Sequence, residues 1–219
     1  MEYLQSLDYS IFGILNGCHA EYFDHLMWLI GKTQMWVPMI LVLLWLSWRR
    51  GSMATVLIVV AIALTVLISD QVSSSIIKPL AARLRPSHDP SLTSSIELVN
   101  NYRGGLYGFV SSHAANSVGV ASLVIMIFRH RAVTIAMALW ATLVSYCRIY
   151  EGVHFPGDII GGAVIGVLSA LAVYTLYKRI KPRFSRREPL FESGDAKFFA
   201  ASVSVNLLLV SIIAIFHNF

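Results

Sequence analysis

The chain has 219 residues, is 56% hydrophobic and carries charge on only 13% of its positions, against about 25% in ordinary soluble domains. A mean hydropathy of +0.66 is more apolar surface than a soluble fold of this length can hide, so a polytopic membrane protein is the expected class. The net charge of +5 falls in short clusters between apolar runs, which fits membrane topology and argues against a nucleic-acid face.

Residues 1–30 interleave Phe12, Ile14, Leu15, Leu26, Trp28 and Leu29 with Asn16, His19, Glu21, Asp24 and His25. This amphipathic segment is expected to form interfacial helices on the bundle or on the membrane surface. Glu2 and Asp8, with no basic region beside them, argue against a cleaved signal peptide. The first membrane helix is expected to serve as the insertion signal. Six apolar stretches follow, near 33–48, 53–77, 113–128, 132–148, 158–177 and 198–216. Each is long enough, or nearly so, to cross a hydrocarbon core of about 30 Å. The first rests on Met35–Trp48 and needs residues on its N-terminal side to reach the usual ~20. With no internal repeat and no long linker, residues 1–219 are expected to form one membrane-embedded domain. Its architecture is an all-α membrane protein, a six-transmembrane helix bundle over 33–216 behind the amphipathic N-terminal segment 1–30.

Lys and Arg positions orient this bundle. The loops after the first, third and fifth stretches, with Lys197, hold 11 of the 17 basic residues. They include Arg49, Arg50, Arg129, Arg131 and the run from Lys178 to Arg187. The other side has Lys32, Lys78, Arg83, Arg85, Arg103 and Arg148. The excess marks the first set as cytoplasmic and places both termini outside.

Three segments carry the chemistry. Lys78 and Arg85, followed by Pro86, close the second stretch; Ser111, Ser112 and His113 open the third; Arg148, His154 and Asp158 link the fourth to the fifth. On this topology all three gather on the extracytoplasmic face. Arg offers a planar fork to phosphate oxygens and Lys a compact charge, although a lysine at a span end also snorkels to headgroups. A serine at 111 or 112 caps the third helix, whose first-turn N–H groups favour an anion, and such a cap is also compatible with a purely structural role. His113 in that turn is placed to donate a proton to a leaving oxygen. Pro156 and Gly157 mark the start of the fifth helix. Asp158, four residues after His154, can take the Nδ1 proton and leave Nε2 as a nucleophile. No His, Cys, Asp and Glu set has metal-ligand spacing, and Cys18 and Cys147 make no disulfide framework. No P-loop or G-x-G-x-x-G is present. Gly161, Gly162 and Gly166 are expected to permit close helix packing.

At these residues the chain resembles the type 2 phosphatidic acid phosphatase family, with its pattern K-x6-R-P, then P-S-G-H, then S-R-x5-H-x3-D. Lys78, Arg85 and Pro86 match the first part, Ser111 and His113 the second, and Arg148, His154 and Asp158 the third. Val110, Ser112 and Cys147 stand where the pattern has Pro, Gly and Ser. Ser112 keeps its backbone N–H, whereas Cys147 lacks a hard hydroxyl and is not carried over as a ligand.

The resemblance implies a metal-independent, cofactor-free hydrolysis of a lipid phosphate through a phosphohistidine. His154 would be the nucleophile, Asp158 its orienter and His113 the acid. Lys78, Arg85, Ser111, Ser112 and Arg148 would hold phosphate. Membrane lipids are the expected surroundings, with no nucleic acid and no obligatory protein partner. Undecaprenyl diphosphate or a lipid A phosphate in the bacterial cytoplasmic membrane leads the substrates, ahead of phosphatidylglycerol phosphate and phosphatidic acid. A transporter or binding protein for anionic lipids is the non-enzyme alternative.

Overall fold

The computed structural model describes residues 2–92, 95–183 and 190–217. Among them the regular structure is helical, apart from one antiparallel bridge between Leu84 and Tyr107. The elements run α1 (Glu2–Asn16), α2 (Glu21–Ile30), a 3-10 turn (Thr33–Trp36), α3 (Val37–Arg49), α4 (Ser52–Asp70), a π-helical stretch (Gln71–Ile77) and α5 (Lys78–Ala81). After a long loop come α6 (Ser112–Phe128), α7 (Arg131–Tyr150), α8 (Pro156–Ile180) and α9 (Ser193–Phe216).

Among the described residues, four helical stretches are long and apolar enough to cross a membrane: Ser52–Ala81, Arg131–Tyr150, Pro156–Ile180 and Ser193–Phe216. A further crossing arises if α2 and Thr33–Arg49 count as one span, although they meet at 72°. The break between them falls at Gly31–Lys32. Helix α2, expected on the bundle or the membrane surface, packs against α9 and α7 and buries His25, Met27, Leu29 and Ile30. At 17 residues α6 is shorter than those four stretches, about 25 Å at 1.5 Å per residue. It is also the most enclosed, packed against α4, α7 and α8.

Local chemistry sets the boundaries. Pro156 fills the first turn of α8, where its missing N–H costs nothing, and Asp158 Oδ2 accepts the Phe155 N–H at 3.0 Å. Ser111 Oγ accepts the Ala114 N–H to cap α6. Ala82 and Arg129 end α5 and α6 in the left-handed region. At the end of the bundle away from these caps, Arg50 pairs with Glu192 at 2.7 Å and with Asp195, tying α3 to the start of α9. The core between holds Trp36 edge-on to Trp140, and Phe128 stacked between Phe191 and Phe199.

Candidate active site

Lys78 sits just after the π-helical stretch. Its one-residue-wider turns shift the phase of the helix, a device common beside functional sites. Lys78 Nζ donates to Ser112 Oγ at 2.7 Å, and Ser74 Oγ lies 2.8 Å from the same oxygen. Arg85 is buried in the loop that follows. The Leu84–Tyr107 bridge and the bonds Arg85 N to Leu106 O and Gly108 N to Arg83 O hold its backbone. Its guanidinium donates to Tyr107 O at 3.2 Å, to Val153 O at 3.3 Å and to His154 Nε2 at 3.0 Å.

That last contact fixes the imidazole. Arg has no acceptor, so Nε2 must present its lone pair. His154 Nδ1 therefore carries the proton and donates to Asp158 Oδ2 at 3.2 Å. Both residues are fully enclosed, His154 at 1% exposure and Asp158 at 0%. Burial, then the nearby charges of Arg85, Arg148 and Lys78, hold the His154 imidazolium well below the ordinary histidine range. A neutral ring with Nε2 unprotonated is the stable form.

Arg83 and Asp8, neither of them among the site residues expected from the sequence, complete the centre. Arg83 Nη1 donates to Asp158 Oδ1 at 3.0 Å and its Nη2 to Asp8 Oδ2 at 2.6 Å, with the guanidinium 4.3 Å above the Phe155 ring. Asp8 Oδ1 also accepts the Gly157 N–H at 2.7 Å. Helix α1 thus clamps the start of α8 and the carboxylate that orients His154. Arg83 stood inside the first charged segment and was open to notice. Asp8 lies 149 positions from Gly157, and no local pattern points to it.

Ser111 is fully buried, and its N–H donates to Asp158 O at 2.9 Å. It joins α6 to α8, and its hydroxyl caps α6. Ser112 and His113 face more open space. His113 borders a polar cavity of about 210 Å³ together with Arg148 and Glu151. It also borders an apolar cleft of about 400 Å³ together with Ser112 and Asp70. Arg148 is buried and forms an ion pair with Glu151 at 2.5 Å. Burial lifts the Glu151 carboxyl to about 7, against the lowering pull of Arg148 and Lys32. Cys147 turns its thiol to Val144 O at 3.1 Å. Among the described residues no group of three or more His, Cys, Asp and Glu could hold a metal ion.

All three charged segments therefore converge on one end of the helical bundle, where Lys78, Arg83, Arg85 and Arg148 surround a buried His154–Asp158 pair. The chain belongs to the PAP2 superfamily, whose model matches residues 54–182. It is 36% identical over 196 residues to a lipid A 4'-phosphatase of Bacteroides thetaiotaomicron, covering 89% of this chain and 87% of that one. It is 39% identical over 185 residues to a lipid A 4'-phosphatase of Porphyromonas gingivalis, covering 84% and 78%. The crystal structure of a transmembrane PAP2-type phosphatidylglycerolphosphate phosphatase from Bacillus subtilis shares the fold. Its TM-score is 0.62 at 22% identity, covering 84% of this chain and 90% of that one. The protein is a multi-pass membrane lipid phosphatase, which decides against the transporter alternative.

Proposed function

We propose that this phosphatase removes the phosphate of a lipid A-type glycolipid by two in-line transfers through His154. The observation that carries the mechanism is the fixed tautomer, with Nδ1–H on Asp158 and the Nε2 lone pair beneath the Arg85 guanidinium. A phosphate entering from the open side takes the Arg85 donors in place of Nε2, which frees that lone pair against phosphorus. Lys78 and Arg148 neutralise the remaining oxygens as charge redistributes, Ser112 donates a hydrogen bond to them, and Ser111 holds the turn. In the first transfer the Nε2–P bond forms, the bond from phosphorus to the leaving oxygen breaks, and His113 gives that oxygen its proton. In the second, His113 takes a proton from water, the hydroxide attacks phosphorus, and the P–N bond breaks to release inorganic phosphate.

The relatives at 36% and 39% identity favour lipid A over undecaprenyl diphosphate as the substrate. Residues 1–219 are read as one domain. The bent α2–α3 pair and the short, enclosed α6 join the four long stretches to make six crossings, with α1 as an amphipathic helix at the interface. The 11-to-6 division of basic residues supports a site on the outer face of the bacterial cytoplasmic membrane. A cysteine introduced in the loop after Arg85, with Cys18 and Cys147 replaced, is expected to react with an impermeant thiol reagent on intact cells. Labelling near Arg179 instead would reverse the orientation.

Purified protein in detergent is expected to release phosphate from 4'-phosphorylated lipid A in excess chelator and to be inhibited by vanadate, which mimics trigonal-bipyramidal phosphorus. Activity lost to chelator and restored by a divalent cation would refute the metal-independent route. Release from undecaprenyl diphosphate alone would refute the substrate.

A further inference from the structure

The polar cavity beside His113 lies between the break after α2, the loop before α6 and the C-terminal end of α7. Trp28, Lys32, Tyr102, Arg148 and Glu151 bound it. Its volume of about 210 Å³ is below the ~300–1,000 Å³ of a whole-ligand pocket, so it suits one polar group of a larger molecule. Glu151 is 1% exposed, and beyond its ion pair with Arg148 neither carboxylate oxygen has an aligned hydrogen-bond donor. Arg148 Nε is likewise buried without an acceptor. A buried carboxylate left this way is costly unless something that enters the cavity donates to it. Close approach is built in at Gly31, where a Cβ would lie 3.1 Å from Glu151 Oε1 and 3.3 Å from Arg148 Nη1.

The second cleft at His113 is apolar, walled by Trp36, Met39, Ile62, Val66, Val120 and Trp140. The two spaces share Gly31, Thr33 and His113. Since His113 serves the leaving oxygen, both spaces lie on the leaving-group side of the phosphate. An isoprenoid diphosphate would bring a second phosphate there, against the Glu151 carboxylate. A phosphorylated sugar with acyl chains brings hydroxyls first and hydrocarbon next, which matches the order of the two spaces.

We propose that this cavity is a hydroxyl-recognition subsite for the sugar that carries the scissile phosphate, with Glu151 accepting from its hydroxyls and Lys32 and Arg148 Nε donating to its oxygens. The subsite rests on the phosphatase reading above and adds the group that distinguishes an acylated sugar phosphate from other lipid phosphates. The test compares three monophosphates in detergent: an acylated glucosamine phosphate, its deoxy form lacking the hydroxyl next to the phosphate, and hexadecyl phosphate. For the unmodified enzyme, removing the hydroxyl is expected to lower kcat/KM about tenfold or more, the scale of one hydrogen bond to a charged group. In Glu151→Gln, which keeps an acceptor but a neutral one, the preference for the hydroxylated over the deoxy compound should fall to only a fewfold. Equal kcat/KM for the hydroxylated and deoxy compounds with the unmodified enzyme would overturn the subsite, and that comparison does not depend on the variant folding. An undiminished preference in Glu151→Gln would remove Glu151 from it. Failure of the unmodified enzyme to release phosphate from either acylated sugar compound while it hydrolyses hexadecyl phosphate would sink the glycolipid reading on which the subsite rests.

Discussion

Replacing His154 by alanine is expected to abolish phosphate release, a loss of about 10⁴-fold or more on the scale seen when a nucleophile is removed. The ring is 1% exposed and is held between the Asp158 carboxylate and the Arg85 guanidinium. Asp158→Asn is expected to approach that loss while the phosphate cradle stays intact. Asp158 Oδ2 accepts from both His154 Nδ1 and Phe155 N, and Oδ1 accepts from Arg83. An asparagine amide has one oxygen for these two roles. Turned one way, its NH₂ opposes Arg83. Turned the other way, it donates to Nδ1 and forces the proton onto Nε2, which removes the nucleophilic lone pair. Steady-state kinetics of both variants on one lipid phosphate check this. Near-normal turnover in Asp158→Asn would show that the carboxylate does not set the tautomer.

Gly162→Ala is expected to damage stability and activity together. A Cβ at Gly162 would lie 2.3 Å from Ser111 O and 3.1 Å from the Ala114 Cβ, so α8 must move away from α6. Gly166 makes a similar approach, 2.4 Å from Ala115 O. Backbone cannot rotate aside as a side chain does, and overpacking of this kind costs about 1–3 kcal/mol or more. The same displacement pulls on the Ser111 N to Asp158 O bond that joins the two helix starts at the site. Thermal unfolding in detergent should show a lowered midpoint for Gly162→Ala. Gly13→Ala, with nothing within 4 Å of the added carbon, should equal or exceed the parent, since alanine is the better helix former. A Gly162→Ala protein as stable and active as the parent would mean the seam is looser than its geometry.

The apolar runs were readable because a bilayer demands long continuous hydrocarbon, and α4, α7, α8 and α9 answer that demand directly. The first run is short, and α2 before it carries Glu21, Asp24 and His25 and meets Thr33–Arg49 at 72°, so its polarity reads as that of a surface helix and the sharp bend has no signal in the apolar pattern. His154 and Asp158 were legible because a carboxylate in the first turn of a helix has few places to point. The partnership of Lys78 with Ser112 was not, since nothing in Gln71–Ile77 announces π-helical turns. Arg148 was read as a phosphate ligand alone. Its i, i+3 carboxylate Glu151 stood in the same segment and was overlooked because no motif names it. Asp8 could not have been found from spacing at all, because only the folded chain brings α1 against α8.

Passage of the phosphoryl group through Nε2 of His154 leaves a covalent intermediate that can be trapped. Rapid mixing with radiolabelled lipid phosphate, an alkaline quench to preserve phosphohistidine, and peptide mapping would locate the bound phosphoryl group. Label is expected on the peptide containing His154, attached at Nε2 and absent from His154→Ala. Label on His113, or turnover in His154→Ala at the parent rate, would contradict it.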